Sequence, residues 1–203
     1  MISIIDIGIG NIGSIVNMCK YIGIETEVIN QSSQIKKAQK LILPGVGNFD
    51  AGIDNMISLG IKNTLDDVVL IKKIPILGIC LGMQMLCDNS NEGNKSGLGY
   101  IKGKCIHLSD NDVMKERVPH MGWNNIEVIS ESPLFADLHD KNKFYFTHSF
   151  HLVCDNESNV IGKTSYGVKF TSAVNEENIF GVQFHPEKSH SYGMRLLNNF
   201  CNL

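Results

Sequence analysis

Apolar positions along the chain follow two patterns. In the first half, short apolar runs alternate with longer stretches in which apolar residues recur at helical spacing. Residues 2–6 predict a strand, followed by a glycine turn and a helix over about 11–22. Further strands are predicted at 26–29, 40–43 and 75–79, with helices around 49–59 and 81–89. Continuous apolar strands separated by helices are the signature of a parallel sheet covered on both faces, hence an α/β fold.

The second half changes rhythm. Strands are predicted at 101–108, 125–129, 143–147, 169–174 and 179–184, with connections short enough for antiparallel pairs, and a last helix at 192–200 packs back on the sheet. The polar stretch 88–97 reads as a surface loop within an element series rather than a linker. No repeat or low-complexity tract interrupts the chain, so one domain over 1–203 is expected.

Composition narrows the class. Of 203 residues, 43% are hydrophobic and 19% charged, which excludes disorder. Eighteen Lys+Arg against 21 Asp+Glu leave a net charge of -3, and aromatics at 7% with one Trp give no electrostatic or stacking case for nucleic acid. No apolar stretch approaches the roughly 20 residues of a membrane helix. The start Met-Ile-Ser-Ile-Ile-Asp reads as a strand rather than a leader. Cys19, Cys80, Cys87, Cys105, Cys154 and Cys201 are scattered without a C-x-x-C pair, so reduced thiols and a cytoplasmic enzyme are expected.

Gly8, Gly10 and Gly13 spell G-x-G-x-x-G between a predicted strand and a predicted helix, where a backbone can approach an anion. The acidic residue expected at the end of the next strand is replaced by Asn30 and Gln31, and Glu27 falls inside that strand. The cluster is therefore read as a tight turn and not as a dinucleotide site.

The sharper signal is Gly78-Ile79-Cys80-Leu81-Gly82, an apolar strand running directly into a helical pattern. G-x-C-x-G is the cysteine form of a nucleophile elbow, whose glycines permit a crowded turn that lifts the middle side chain above the sheet. The following helix places N–H donors beside the sulfur, where a charged nucleophile is supported. The other five cysteines read as inert thiols, Cys87 falling on the core face of the same helix.

A cysteine nucleophile needs a base, and the base an orienting group. An apolar strand ends at His185-Pro186-Glu187, where Glu187 can turn the Pro186 corner and hold one imidazole nitrogen, leaving the other for the thiol. His148 and His151 follow a predicted strand and can line the same edge. His107, His139 and His190 read as surface or packing residues, and His120 as part of a compact structural turn. No cluster has metal-ligand spacing, so no metal is expected.

The elbow followed by Met83-Gln84, together with His185-Pro186-Glu187, resembles the class I (triad) glutamine amidotransferases. Asp6-Ile7-Gly8-Ile9-Gly10-Asn11, Leu43-Pro44-Gly45-Val46-Gly47, Pro119-His120-Met121-Gly122-Trp123-Asn124 and Tyr145-Phe146-Thr147-His148-Ser149 resemble one branch of them, the glutaminase subunits of imidazole glycerol phosphate synthase. The resemblance covers nearly the whole chain and accounts for the first glycine cluster as family structure.

It implies a flavodoxin-like three-layer α/β/α sandwich and hydrolysis of L-glutamine to glutamate and ammonia. The ammonia would pass to a (β/α)8 cyclase subunit that makes imidazole glycerol phosphate and an aminoimidazole carboxamide ribotide in histidine biosynthesis. Cys80, His185 and Glu187 would form the catalytic triad, and no cofactor is implied. The N–H of Leu81 and the loop Gly45, Val46, Gly47 would supply the oxyanion donors, with a peptide flip in that loop gating activity. Gln84 would hold the amino-acid end of the substrate, and His148, Ser149 and Phe150 would line its site. Asn11, Trp123 and Lys188 would face the cyclase; helix capping, core packing and simple solvation are the plainer readings of these three.

Phe150 stands where the family usually has Tyr, which removes a phenol hydrogen bond near the glutamine site and keeps the aromatic plate. Within the same glutaminase chemistry, a partner that amidates a surface sugar is the alternative destination for the ammonia. A cysteine peptidase or α/β hydrolase is disfavoured by the close His185-x-Glu187 pair and by Gln84. A non-enzymatic scaffold with Cys80 as redox sensor predicts no turnover.

Overall fold

The computed structural model describes residues 1–110, 115–138 and 142–203; His139 lies outside them. The first half runs β1 (Ile2–Ile5), α1 (Ile12–Tyr21), β2 (Thr26–Ile29), α2 (Ser32–Ile35), β3 (Leu41–Gly45), α3 (Phe49–Ser58), α4 (Lys62–Asp66, prolonged by a π turn over Asp67–Ile71), β4 (Ile76–Cys80) and α5 (Leu81–Met85). The second half runs β5 (Asn89–Ser90), β6 (Gly103–His107), β7 (His120–Asn125), β8 (Glu127–Val128), β9 (Lys143–His148), β10 (Phe150–Cys154), β11 (Val160–Tyr166), β12 (Val168–Glu176), β13 (Ile179–Val182) and α6 (His190–Cys201).

Eight strands form the central sheet in the order β2-β1-β3-β4-β13-β12-β11-β8. Pairs from β2 through β4 to β13 are parallel, and those from β13 outward to β8 are antiparallel. Strands β1, β3, β4 and β13 are buried at every position, because helices cover both faces. Successive residues feed opposite cores: Ile5, Leu41 and Leu43 join α3, α4 and α5 on one side, while Ile4, Ile42 and Leu77 join α1 and α6 on the other. This is the α/β arrangement expected from the apolar runs, in the three layers that the family resemblance implies.

Two small sheets complete the fold: the order β10-β6-β5, and the hairpin-like pair β7-β9. Residues 88–97 are more tightly held than a surface loop. They include β5, and Asn94 and Lys95 donate backbone N–H groups to the Asp50 carboxylate on α3, both at 3.0 Å. The N–H of Phe49 at the start of α3 donates to Glu92 at 2.8 Å. The helix predicted over 81–89 stops after Met85, where the chain turns to pair β5 with β6.

Candidate active site

The carboxyl ends of β3, β4 and β13 converge on one edge of the sheet. There β4 passes into α5 without a loop, and Cys80 takes a left-handed conformation (φ 55°, ψ -111°). An L residue adopts this geometry only when its surroundings impose it. Two glycines show how. A Cβ on Gly82 would lie 1.8 Å from the carbonyl oxygen of Leu43, and one on Gly78 would lie 2.7 Å from Gly82 O and Met83 N. The strand–helix turn is thus pressed against β3 at backbone contact, and the Cys80 side chain is directed away from the layer below. The helix that follows is a single short one of five residues.

Cys80 is 6% exposed and lines a cavity of about 260 Å³ with Val46, Gly47, Leu81, Gln84, Glu92, Thr147, His148, Ser149, Phe150 and His185. Within it, the sulfur lies 3.9 Å from Thr147 O and 3.8 Å from the Gln183 amide nitrogen. That same Gln183 accepts, through Oε1, from Gln84 Nε2 at 3.1 Å, and Gln84 Nε2 also donates to Phe150 O at 3.0 Å. A buried amide chain therefore joins the Cys80 sulfur to the pocket wall.

His185 lies just beyond the end of β13, the strand next to β4, at the start of the Pro186–Lys188 turn. Its Nδ1 meets Glu187 Oε1 at 2.8 Å, with both side chains 1% exposed. Its Nε2 is buried and has no hydrogen-bond partner among the described protein atoms. The His185 pKa is raised to about 10: burial works against the charged ring, and the neighbouring Cys80 sulfur and Glu187 carboxylate outweigh it. Backbone bonds fix the corner in place. His185 N donates to Tyr145 O at 2.8 Å, Ser189 Oγ donates to His185 O at 2.6 Å, and Tyr145 N donates to Ser189 Oγ at 3.0 Å.

The structure gathers nearly all the residues singled out for catalysis and substrate binding. Cys80, His185, Val46, Gly47, Leu81, Gln84, His148, Ser149 and Phe150 line the cavity, with Glu187 directly behind His185. Gly45 stands beside it, paired with Cys80 in the β3–β4 register. Gly47 has φ +102°, a conformation open to glycine. His151 is buried behind the wall on β10 and does not reach the cavity.

Glu92, Gln183 and Ser189 were not foreseen. Glu92 sits in what reads as a polar surface loop, and Gln183 and Ser189 carry no local signal apart from flanking the His185 corner.

His120 departs from its predicted turn. It lies on β7, opposite His148 on β9, is 1% exposed, and its ring is stacked between Phe146 and Tyr166. Burial lowers its pKa to about 4, and that of His148 to about 3, so both rings are neutral.

Asn11, Trp123 and Lys188 lie outside the cavity. Asn11 precedes α1 without a side-chain capping bond, and α1 packs beside the Pro186–Lys188 turn. Trp123 is 45% exposed, with its ring stacked on His190, and Lys188 Nζ lies 5.6 Å above the Tyr145 ring. Capping and core packing are therefore not the roles of Asn11 and Trp123.

The glycine cluster near the N-terminus behaves as a structural turn. The Gly8 N–H donates to the Asp6 carboxylate at 2.8 Å, placing negative charge where a phosphate would have to sit. Among the described residues no group of three or more His, Cys, Asp or Glu is arranged to hold a metal, and no helix is long and apolar enough to cross a membrane.

Comparisons with known proteins agree with this geometry. The glutamine amidotransferase class-I family model matches residues 3–203. Imidazole glycerol phosphate synthase subunit HisH 2 of Methanococcus maripaludis is 46% identical over 200 residues, covering 98% of both chains. The subunit HisH of Leptospira interrogans is 43% identical over 204 residues, covering all of both. Among solved structures, a glutamine amidotransferase matches with TM-score 0.77 at 17% identity, covering 99% of this chain and 97% of that one. The PurLQS structure from Thermotoga maritima matches at 0.76 and 19%, with the same coverage. At such identities the structures share the fold, and the sequence relatives carry the family. Because the match runs through both the Cys80 elbow and the His185–Glu187 corner, the chain belongs to the glutamine amidotransferase class-I family.

Proposed function

We propose that this protein, as one domain over residues 1–203, is the glutaminase subunit of an imidazole glycerol phosphate synthase. It hydrolyses L-glutamine and delivers ammonia to a (β/α)8 cyclase subunit in histidine biosynthesis. The observation that carries the reading is one cavity lined by Cys80, His185 and Gln84, with Glu187 2.8 Å behind the imidazole. The full-length relatives named as subunits of that synthase supply the pathway. No observation favours a surface-sugar acceptor.

In the reaction, Cys80 Sγ attacks the side-chain carbonyl carbon of glutamine. His185 holds the thiol's proton, supported by Glu187, and delivers it to the leaving nitrogen as ammonia departs. The neutral ring then takes a proton from water, which hydrolyses the thioester to glutamate and restores the thiol. The N–H of Leu81 and an N–H of the Gly45–Val46–Gly47 loop stabilise the oxyanion. A flip in this loop, permitted at Gly47, keeps hydrolysis low until the partner is bound.

The substrate's α-ammonium and α-carboxylate are held at the far end of the cavity. The charge of Glu92 suits the ammonium, and Gln84, Ser149 and the Phe150 wall complete the subsite. Asn11, Trp123 and Lys188 lie on the surface offered to the cyclase. The protein is a cytoplasmic enzyme in this reading.

The test is glutamate release from glutamine, with and without the cognate cyclase subunit and its nucleotide ligand. Release that rises strongly with the partner and disappears in Cys80→Ala supports the reading. A folded, complexed wild-type protein that releases no glutamate overturns it.

A further inference from the structure

Behind the glutamine cavity lies a polar chain that the triad does not use. His148 Nδ1 is 2.8 Å from Phe150 O, His148 Nε2 is 3.0 Å from His120 Nδ1, and His120 Nε2 is 3.3 Å from Asn124 Nδ2. The direction of every bond in it is determined. A backbone carbonyl only accepts, so His148 Nδ1 must carry the hydrogen. In a neutral ring His148 Nε2 is then a bare acceptor, and His120 Nδ1 must be the donor. His120 Nε2 is bare in turn and takes a hydrogen from Asn124, whose amide orientation is fixed by a second bond to Ser165 O at 2.9 Å.

The chain ends on a carbonyl that matters to the pocket. Phe150 O also accepts from Gln84 Nε2, which bonds onward to Gln183 beside the Cys80 sulfur. Two donors thus fix one peptide on the cavity wall, and one of them is set by the tautomer of His148. His120 touches none of the cavity, yet it is the group that decides that tautomer. Its stacked neighbours Phe146 and Tyr166 hold the ring plane, so the Nδ1–H is aimed rather than free to rotate.

We propose that His120 is a positioning residue for glutamine: by donating to His148 it locks the His148 Nδ1–H tautomer, which pins the Phe150 carbonyl and the Gln84 wall in their substrate-binding places. This rests on the glutaminase reading for its substrate, while the tautomer it requires is a property of the protein alone. Loss of the donor loosens the binding wall without touching the triad, so the effect falls on KM rather than on kcat.

Two measurements test it. In long-range ¹H–¹⁵N spectra of the ¹⁵N-histidine-labelled protein at neutral pH, both His120 and His148 are expected as Nδ1–H tautomers. A His148 ring protonated at Nε2 overturns the proposal, whatever the enzyme's activity. In the complex with the cyclase subunit, His120→Phe keeps the stacked plate and removes the donor. It is expected to raise the KM for glutamine about tenfold, the size of one lost hydrogen bond, with kcat changed by less than about twofold. His120→Asn, which places an amide N–H near the Nδ1 position, is expected to restore most of that loss.

An unchanged KM in His120→Phe, or an equal rise in both variants, overturns the proposal. If His120→Phe does not fold, His120→Gln takes its place, since its amide reaches the Nε2 position and offers nothing at Nδ1. Absence of glutamate release from the wild-type complex sinks the glutaminase reading, and the tautomer spectrum still decides the role of His120.

Discussion

Cys80, at the end of β4, and His185, just beyond the end of the neighbouring parallel strand β13, reach one cavity, and different physics holds each of them. At the end of β4 the restraint is steric. Left-handed Cys80 is braced by glycines whose missing Cβ atoms let Gly82 sit against Leu43 O and Gly78 against Gly82 O. At the end of β13 the restraint is a set of directed bonds: Glu187 to the ring, Ser189 to the His185 carbonyl, and Tyr145 to both Ser189 and the His185 N–H. Contact at backbone distance tolerates no addition, whereas hydrogen bonds can be removed one at a time. Substitutions should therefore fail abruptly on the β4 side and by degrees on the β13 side.

Gly82→Ala is expected to have the largest effect. Ordinary core overpacking costs about 1–3 kcal/mol. Here the added carbon would lie 1.8 Å from a backbone oxygen in the middle of the sheet, which cannot move aside without breaking the β3–β4 pairing. The variant should be insoluble or lack the cooperative unfolding transition of the wild type in a urea titration. A soluble Gly82→Ala with wild-type stability would show that the turn is not sterically fixed.

On the β13 side, Glu187→Gln keeps the shape of the side chain and removes its charge. It should remain folded and lose about 10²–10⁴-fold in kcat, the range for a misoriented or unsupported catalytic base. The His185 pKa should fall with it, since that carboxylate helps hold it up. A kcat within a few-fold of wild type would remove Glu187 from the mechanism.

Ser189→Ala goes further down the scale. It leaves the Tyr145 N–H without a buried partner, costing about 1–3 kcal/mol of stability, while the His185 carbonyl loses one of two donors and keeps the Lys188 N–H at 3.1 Å. Activity should fall less than in Glu187→Gln, because the ring keeps its carboxylate. Denaturant midpoints and kcat measured on the two variants side by side separate these contributions.

The same contrast explains what was legible in the sequence. The β4 elbow is readable because sterics at this density leave few choices of residue: glycine at 78 and 82, with Cys80 between them. The parallel strands are readable because burial on both faces forces unbroken apolar runs. Strand β7 inverts the usual code. Met121 and Trp123 point to solvent, while His120 is buried to complete a polar chain, so alternation read as apolar-inside gives a turn. Strand β11 carries Gly162 at an irregularity in its pairing with β12, which interrupts the apolar pattern, and this strand was not foreseen. Glu92 and the backbone cradle around Asp50 depend on contacts between segments some 40 residues apart, for which local spacing has no signal.

The smallest effect is a change in slope with pH, and it sharpens the comparison between buried neutral and buried charged histidines. His120 and His148 have folded pKa values lowered by burial to about 4 and about 3, against roughly 6.5 in an unfolded chain. Between those limits the unfolded state binds more protons, so stability falls as pH drops from about 6.5 towards 4. Asp50, held low by the Asn94 N–H, and Asp88, where burial is outweighed by Lys102 and Gly103, add losses lower still.

His185 has the opposite sign. Its folded pKa is raised to about 10, so the stability it contributes is fully present below about 6.5 and is lost as pH rises through 10. Above 9 the buried thiols Cys19 and Cys154, pushed up to about 11 and about 12, add to the alkaline fall. Stability measured by urea titration should thus peak near pH 6.5 and decline on both sides. His120→Phe removes one proton from the acid side alone and should flatten that limb while leaving the alkaline limb as it was; equal flattening of both would show that the two histidine groups do not titrate independently.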